Sequence, residues 1–184
     1  MALDSFDFAG PMNGKMYLVI IDAHSKWIEA FVTTSSTSTT VIEISRHVFA
    51  WFGMPETIVS DNGPCFVSKE FESFLLANGM KHITSSPYYP ATNGLAERAI
   101  QILKKGLKKV TSGSLQTRLA QILMSYRITL QSTTGASPAE LLFGRQPRTR
   151  LDPLKPNTES VIENKQMNQK VPHDRKARER IFAV

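Results

Sequence analysis

The strongest constraint on the fold is the run YLVIID at Tyr17 to Asp22, in which apolar residues follow one another without alternation until the aspartate. A run of strand length with this pattern asks for burial on both faces, hence a sheet covered from both sides. Phe6-Asp7-Phe8 reads as the preceding strand. Pro11-Met12-Asn13-Gly14 lies between them, and its Pro and Asn-Gly pair predict a turn joining antiparallel neighbours. Trp27 to Val32 reads as a third strand. Thr33 to Thr40 is a Ser/Thr-rich loop ending in a helix N-cap, after which Val41, Ile44, Val48 and Trp51 recur at helical spacing until Gly53-Met54-Pro55 stops them. Thr57 to Ser60 is a short β-branched strand closed by Asp61-Asn62-Gly63. Phe71, Phe74 and Leu75 mark a helix ending at Asn78-Gly79, and Lys81 to Thr84 is another strand. Ser85 to Gly94 is a loop rich in Pro and Gly, followed by helices from Gly94 to Val110 and from Leu115 to Ile128. Hairpin strands followed by strands alternating with helices define an α/β chain, a mixed sheet flanked by helices on both faces.

Composition narrows the class. With 41% hydrophobic and 21% charged residues, the chain of 184 residues can bury a core. No stretch approaches the roughly 18 consecutive apolar residues of a membrane span, so no membrane partner is expected. Met1 leads into Asp4 and Asp7 rather than into a basic and then apolar leader. One Cys, Cys65, excludes an intrachain disulfide framework and reads as a small buried hydrophobe; with only four His, a Cys/His zinc finger is excluded too. Phe8, Trp27, Phe49 and Trp51 read as core.

The net charge of +6 averages unlike regions. Residues 1–93 hold 5 Lys/Arg against 9 Asp/Glu, residues 94–150 hold 10 against 2, and residues 151–184 hold 7 against 5. Acids followed by bases suit a metal-dependent enzyme acting on a polyanion. Three acids stand out: Asp7 inside the first strand, Asp61 at the end of the fourth, and Glu97 in the first turn of the basic helix. Asp4 and Asp22 compete with Asp7 for the first position, although Asp22, followed by Ala23-His24-Ser25, reads as a turn residue. Converging carboxylates repel unless cations hold them, and hard oxygen donors favour Mg²⁺ or Mn²⁺; two ions sharing an Asp would serve phosphodiester chemistry. Counting from Glu97, Gln101, Lys104, Lys105 and Lys108 fall at +4, +7, +8 and +11, a stripe along one helix face suited to phosphates, with Leu95, Ala99, Ile102, Leu103 and Val110 on the core side. Tyr88 and Tyr89 in the preceding loop are placed to stack on bases.

These residues carry a family resemblance. DFAGP at Asp7 to Pro11, YLVIIDAHSKWIEA at Tyr17 to Ala30, TIVSDNG at Thr57 to Gly63 and SSPYYPATNGLAERAIQILK at Ser85 to Lys104 resemble the catalytic core of retroviral and gypsy-type retrotransposon integrases, and TTGASPAELLFGR at Thr133 to Arg145 is similar to the end of the gypsy-type core. Asp61 and Glu97 enclose 35 residues, matching the family's D,D-35-E signature. The resemblance implies an RNase H-like fold with a five-stranded mixed sheet, the core at residues 1–150 and a linker at 151–184 leading toward a further DNA-binding domain. It also implies that Asp7, Asp61 and Glu97 bind two Mg²⁺ or Mn²⁺ ions. Asn62, Tyr88, Asn93, Gln101 and Lys104 then fall near the metals or the DNA ends, with Lys105 and Lys108 continuing the basic stripe. The implied activity is DNA 3′-end processing and strand transfer, with element and target DNA as partners, a homodimer or higher oligomer using Leu115 to Ile128, and a nuclear site of action. An inactive DNA-binding or oligomerisation module and an RNase H-type nuclease are the alternatives. The chain reads as a core and linker from a longer polyprotein or a host gene derived from one.

Overall fold

A computed structural model describes residues 3–12, 14–84, 94–154 and 158–174, in two units divided between Pro147 and Arg148. In the first unit the elements run β1 (Leu3–Met12), β2 (Lys15–Asp22), β3 (Ile28–Thr33), α1 (Ser38–Phe52), β4 (Thr57–Ser60), α2 (Lys69–Ala77), β5 (Lys81–Thr84), α3 (Gly94–Lys109), α4 (Leu115–Ile128) and α5 (Pro138–Phe143). The second unit holds a short 3-10 turn, Asp152–Leu154, and the helix α6, Thr158–Asp174, along which residues 162–170 are exposed.

The five strands form one sheet in the order β3-β2-β1-β4-β5, antiparallel across β1, β2 and β3 and parallel across β1, β4 and β5. This is the expected five-stranded mixed sheet. β1 is longer than Phe6-Asp7-Phe8 because Leu3, Asp4 and Ser5 also pair, with Thr57, Ile58 and Val59 of β4. A charged residue within that stretch hid the extension from a hydrophobicity reading.

Alternation along the strands divides the core in two. Ala9, Tyr17, Val19 and Ile21 pack on one face beneath Ala96, Ala99, Ile100, Leu103 and Leu107 of α3 and Leu119, Ile122 and Leu123 of α4. Phe6, Leu18, Ile20 and Ile58 pack on the other with Val41, Val48 and Phe49 of α1 and Phe71 and Leu75 of α2. The YLVIID strand is thus buried on both sides, as its pattern demands. Helix starts use short polar side chains: Thr37, Ser68, Ser114 and Ser137 each accept a backbone N–H from the first turn, and Ser137 forms a reciprocal capping box with Glu140.

Two core assignments need correction. Trp51 is 61% exposed, because the inward stripe of α1 is Val41, Ile42, Ser45, Val48 and Phe49, and two further residues turn the chain to the opposite side. Its ring lies against Phe31, with centroids 6.4 Å apart. On α3, Ala96, Ile100 and Leu107 join Ala99 and Leu103 on the buried side, whereas Leu95 and Val110 flank it and Ile102 is half-buried. Phe8 is half-buried, and Trp27 and Phe49 are buried.

Gly106 explains how closely α3 and α4 approach. A β-carbon there would stand 2.7 Å from Ile122 Cγ2 and 2.9 Å from its Cγ1, well inside contact distance. Gly106→Val is therefore expected to force the helices apart and to lower unfolding free energy by about 1–3 kcal/mol, measured as a shift in the urea midpoint.

Arg127 ties α4 to β3. Its guanidinium lies 4.0 Å from the Trp27 ring centroid, donates to Ile28 O at 2.7 Å and pairs with Glu29 at 2.7 Å, while Trp27 Nε1 donates to the same carboxylate at 2.8 Å. Arg127→Ala leaves a largely buried carboxylate and a backbone carbonyl short of donors. A loss of about 2–3 kcal/mol is expected, and Arg127→Lys, lacking the planar fork, recovers less than half of it in the same titration.

Candidate functional site

The site begins at the junction of β1 and β4. Their last paired residues are Phe6 and Ser60, so the next positions on these parallel neighbours are Asp7 and Asp61. Adjacent strands lie about 4.8 Å apart, which brings the two aspartates side by side. Asp7, 8% exposed, is opposite Val19 in β2 and so shares the sheet face that α3 covers.

Asp61 is half-buried where the chain leaves β4. Its Oδ1 accepts the Gly63 N–H at 2.9 Å, forming the turn that its Asp-Asn-Gly sequence suggests. A β-carbon on Gly63 would sit 2.9 Å from that oxygen, so glycine lets the backbone come this close to the carboxylate. Cys65 is buried beneath this turn. Burial pushes its thiol pKa up, and the carboxylates of Asp61 and Asp7 add to the rise. The thiol is therefore an unreactive neighbour of both acids, in keeping with its reading as a small hydrophobe.

The rivals of Asp7 lie elsewhere. Asp22 accepts the Ser25 N–H at 2.8 Å, the Ser25 hydroxyl at 2.5 Å and the His24 N–H at 3.3 Å, the turn role expected of it. Asp4 pairs across the strands with Asp22 and with Ile58, on the face opposite Asp7. It is fully buried, and neither carboxylate oxygen finds a hydrogen-bond partner among the described residues. Burial, reinforced by Asp22, pushes its pKa up from 3.8 to about 7, with the N-terminal amine acting in the opposite sense.

Glu97 lies exposed in the first turn of α3, the helix packed on the Asp7 face. Among the described residues, no three acidic, His or Cys side chains converge closely enough to hold an ion. The structure therefore brings Asp7 and Asp61 together and leaves Glu97 on the adjoining helix. Gln101, Lys104, Lys105 and Lys108 are exposed along α3, and Asn62 is exposed in the turn after Asp61. Tyr88, Tyr89 and Asn93 lie outside the described residues.

One polar cluster was absent from the sequence reading. Ser60, fully buried, donates its hydroxyl to Asp61 O at 2.8 Å, and its Oγ lies 2.9 Å from His82 Nε2. The available signal was a histidine in the short edge strand KHIT, at the position paired with Ile58.

The sheet order and the paired aspartates at its centre define the chain as an RNase H-like α/β domain. A profile of the integrase core domain matches residues 3–90. An uncharacterized protein of Caenorhabditis elegans is 42% identical over 166 residues, covering 89% of this chain and 13% of the relative. The Gag-Pol polyprotein of avian reticuloendotheliosis virus is 35% identical over 137 residues, covering 72% of this chain and 12% of the polyprotein. The catalytic core domain of BIV integrase superposes with a TM-score of 0.66 at 25% identity, over 77% of this chain and 93% of that one. The HTLV-2 integrase catalytic core in complex with magnesium, a trimeric form, gives a TM-score of 0.64 at 22% identity, over 77% and 95%. The chain belongs to the integrase core family, as a catalytic core of the retroviral and retrotransposon type. It spans about an eighth of the length of these two sequence relatives.

Proposed function

We propose that this chain carries the strand-transfer chemistry of DNA integration: water trims a DNA 3′ end, and the exposed 3′-hydroxyl then attacks a phosphodiester of a second DNA. The observation that carries this reading is the placement of Asp7 and Asp61 one step beyond the last β1–β4 pair. Two adjacent carboxylates offering only hard oxygen donors fit Mg²⁺ or Mn²⁺. Asp7 and Asp61 would hold the ions from the rigid sheet, and Glu97 is the third ligand in this reading. Bound there, two such ions would favour ionisation of the attacking oxygen and stabilise the leaving one. Gln101, Lys104, Lys105 and Lys108 present exposed side chains along the same helix, where they would hold the DNA backbone without reading sequence. Asn62, Tyr88 and Asn93 would border the DNA end. DNA is the proposed partner, the working form a homodimer or higher oligomer, and the nucleus the place of action.

A second reading, a DNA-binding or oligomerising module without catalysis, is favoured by the absence of a three-ligand group among the described residues. Reversal of strand joining on a branched DNA, with Mg²⁺ or Mn²⁺, separates the two. Joining in the parent chain supports the enzyme. No joining at any metal concentration, together with salt-sensitive DNA binding that survives Glu97→Gln and weakens with Lys104→Glu, would establish the binding module instead. Cleavage of RNA within a hybrid in the same assay would point to a nuclease.

A further inference from the structure

We propose that His82 and Ser60 are positioning residues for Asp61, joined in a hydrogen-bond relay that fixes the peptide following this carboxylate. The inference rests on the reading of Asp61 as an ion ligand and adds to it what sets that ligand's direction.

The donor order follows from chemistry. A carbonyl oxygen only accepts, so the contact between Ser60 Oγ and Asp61 O at 2.8 Å uses the single hydroxyl hydrogen of Ser60. Ser60 Oγ is then an acceptor toward His82 Nε2, 2.9 Å away, and His82 carries its hydrogen on that nitrogen. The chain of bonds runs from His82 Nε2–H to Ser60 Oγ, and from the Ser60 hydroxyl to the Asp61 carbonyl. An imidazolium would donate from the same nitrogen, so the relay is the same in either charge state of His82.

Asp61 is thereby held twice. Gly63 N–H fixes the carboxylate at 2.9 Å, and the relay fixes the carbonyl of the same residue. Both tethers act where the chain leaves the sheet. Placement argues against simple packing. β5 is an edge strand whose other three residues are exposed, and His82 faces inward with its ring edge-on to Phe71, centroids 5.5 Å apart. A leucine would fill that space as well. What the leucine lacks is a donor for the buried hydroxyl of Ser60.

The test compares His82→Leu, Ser60→Ala and His82→Gln in the full chain. Mn²⁺ alone serves as the probe, its affinity read by calorimetry beside kcat and KM for strand-joining reversal. His82→Leu and Ser60→Ala are expected to weaken Mn²⁺ binding by about tenfold or more and to lower kcat, with KM for DNA and the metal-free urea midpoint little changed. His82→Gln, whose amide can donate to Ser60, is expected to restore most of the affinity. Parent-like Mn²⁺ affinity in both His82→Leu and Ser60→Ala, or a His82→Gln variant as defective as His82→Leu, overturns the relay. If His82→Leu unfolds, Ser60→Ala, which removes one atom, decides alone. A parent chain without Mn²⁺ affinity sinks the ion reading itself, an outcome distinct from loss of the relay alone.

Discussion

Asp61→Asn is expected to lower strand-joining reversal by about a thousandfold or more while leaving DNA affinity within about twofold. Asparagine keeps the shape of the side chain and the acceptor for Gly63 N–H, but it loses the charge that faces Asp7 across the β1–β4 junction. Ion-assisted displacement draws several kcal/mol from charge stabilisation, and each 1.36 kcal/mol lost is a factor of ten in rate. Glu97→Gln should fall as far, because both changes disable one ligand set, and the double variant should fall little further than either alone. Single-turnover kinetics on branched DNA, with affinity measured separately by titration, checks this. Residual activity in Asp61→Asn within tenfold of the parent would remove Asp61 from the chemistry.

Asp4→Asn is expected to stabilise the chain at pH 8 and to leave it unchanged at pH 4. Asp4 is buried opposite Asp22, and its folded pKa, about 7, lies above the ordinary 3.8. The folded state therefore holds a proton that the unfolded chain releases in this interval. Stability is full below the unfolded value and falls as pH rises through the folded one. Raising a pKa from 3.8 to about 7 corresponds to roughly 4 kcal/mol lost across the window. The asparagine variant has no such proton to lose, so its melting temperature should exceed the parent's by about 10 °C at pH 8, with the two curves meeting near pH 4. Parallel profiles for parent and variant would show that Asp4 ionises in the folded chain as readily as in the unfolded one.

Much of this molecule was legible along the chain. β4 and β5 begin and end at the residues their β-branched runs and flanking turns suggest, and α4 spans the expected Leu115–Ile128. Local chemistry suffices there, because turn residues and apolar period act within a few positions of each other. The outward turn of Trp51 was hidden, since the α1 pattern admits two neighbouring stripes and only the sheet selects one. The cluster of Ser60 and His82 was hidden for a related reason: the partners are 22 residues apart in sequence and meet only through strand pairing.

The sequence by itself determined which elements form, which acids were available and that a basic helix follows them. Apart from the family resemblance that pointed to Asp7, it offered a local turn argument against Asp22 and nothing to separate Asp4 from Asp7, because both are acids in the first strand. The choice belongs to register. Pairing β1 with β4 so that Phe6 meets Ser60 sets Asp7 beside Asp61, and the alternation of strand side chains sends Asp4 to the opposite face. That pairing joins segments some fifty residues apart, and it is fixed by burying Phe6 and Ile58 together with helices that neither strand contains.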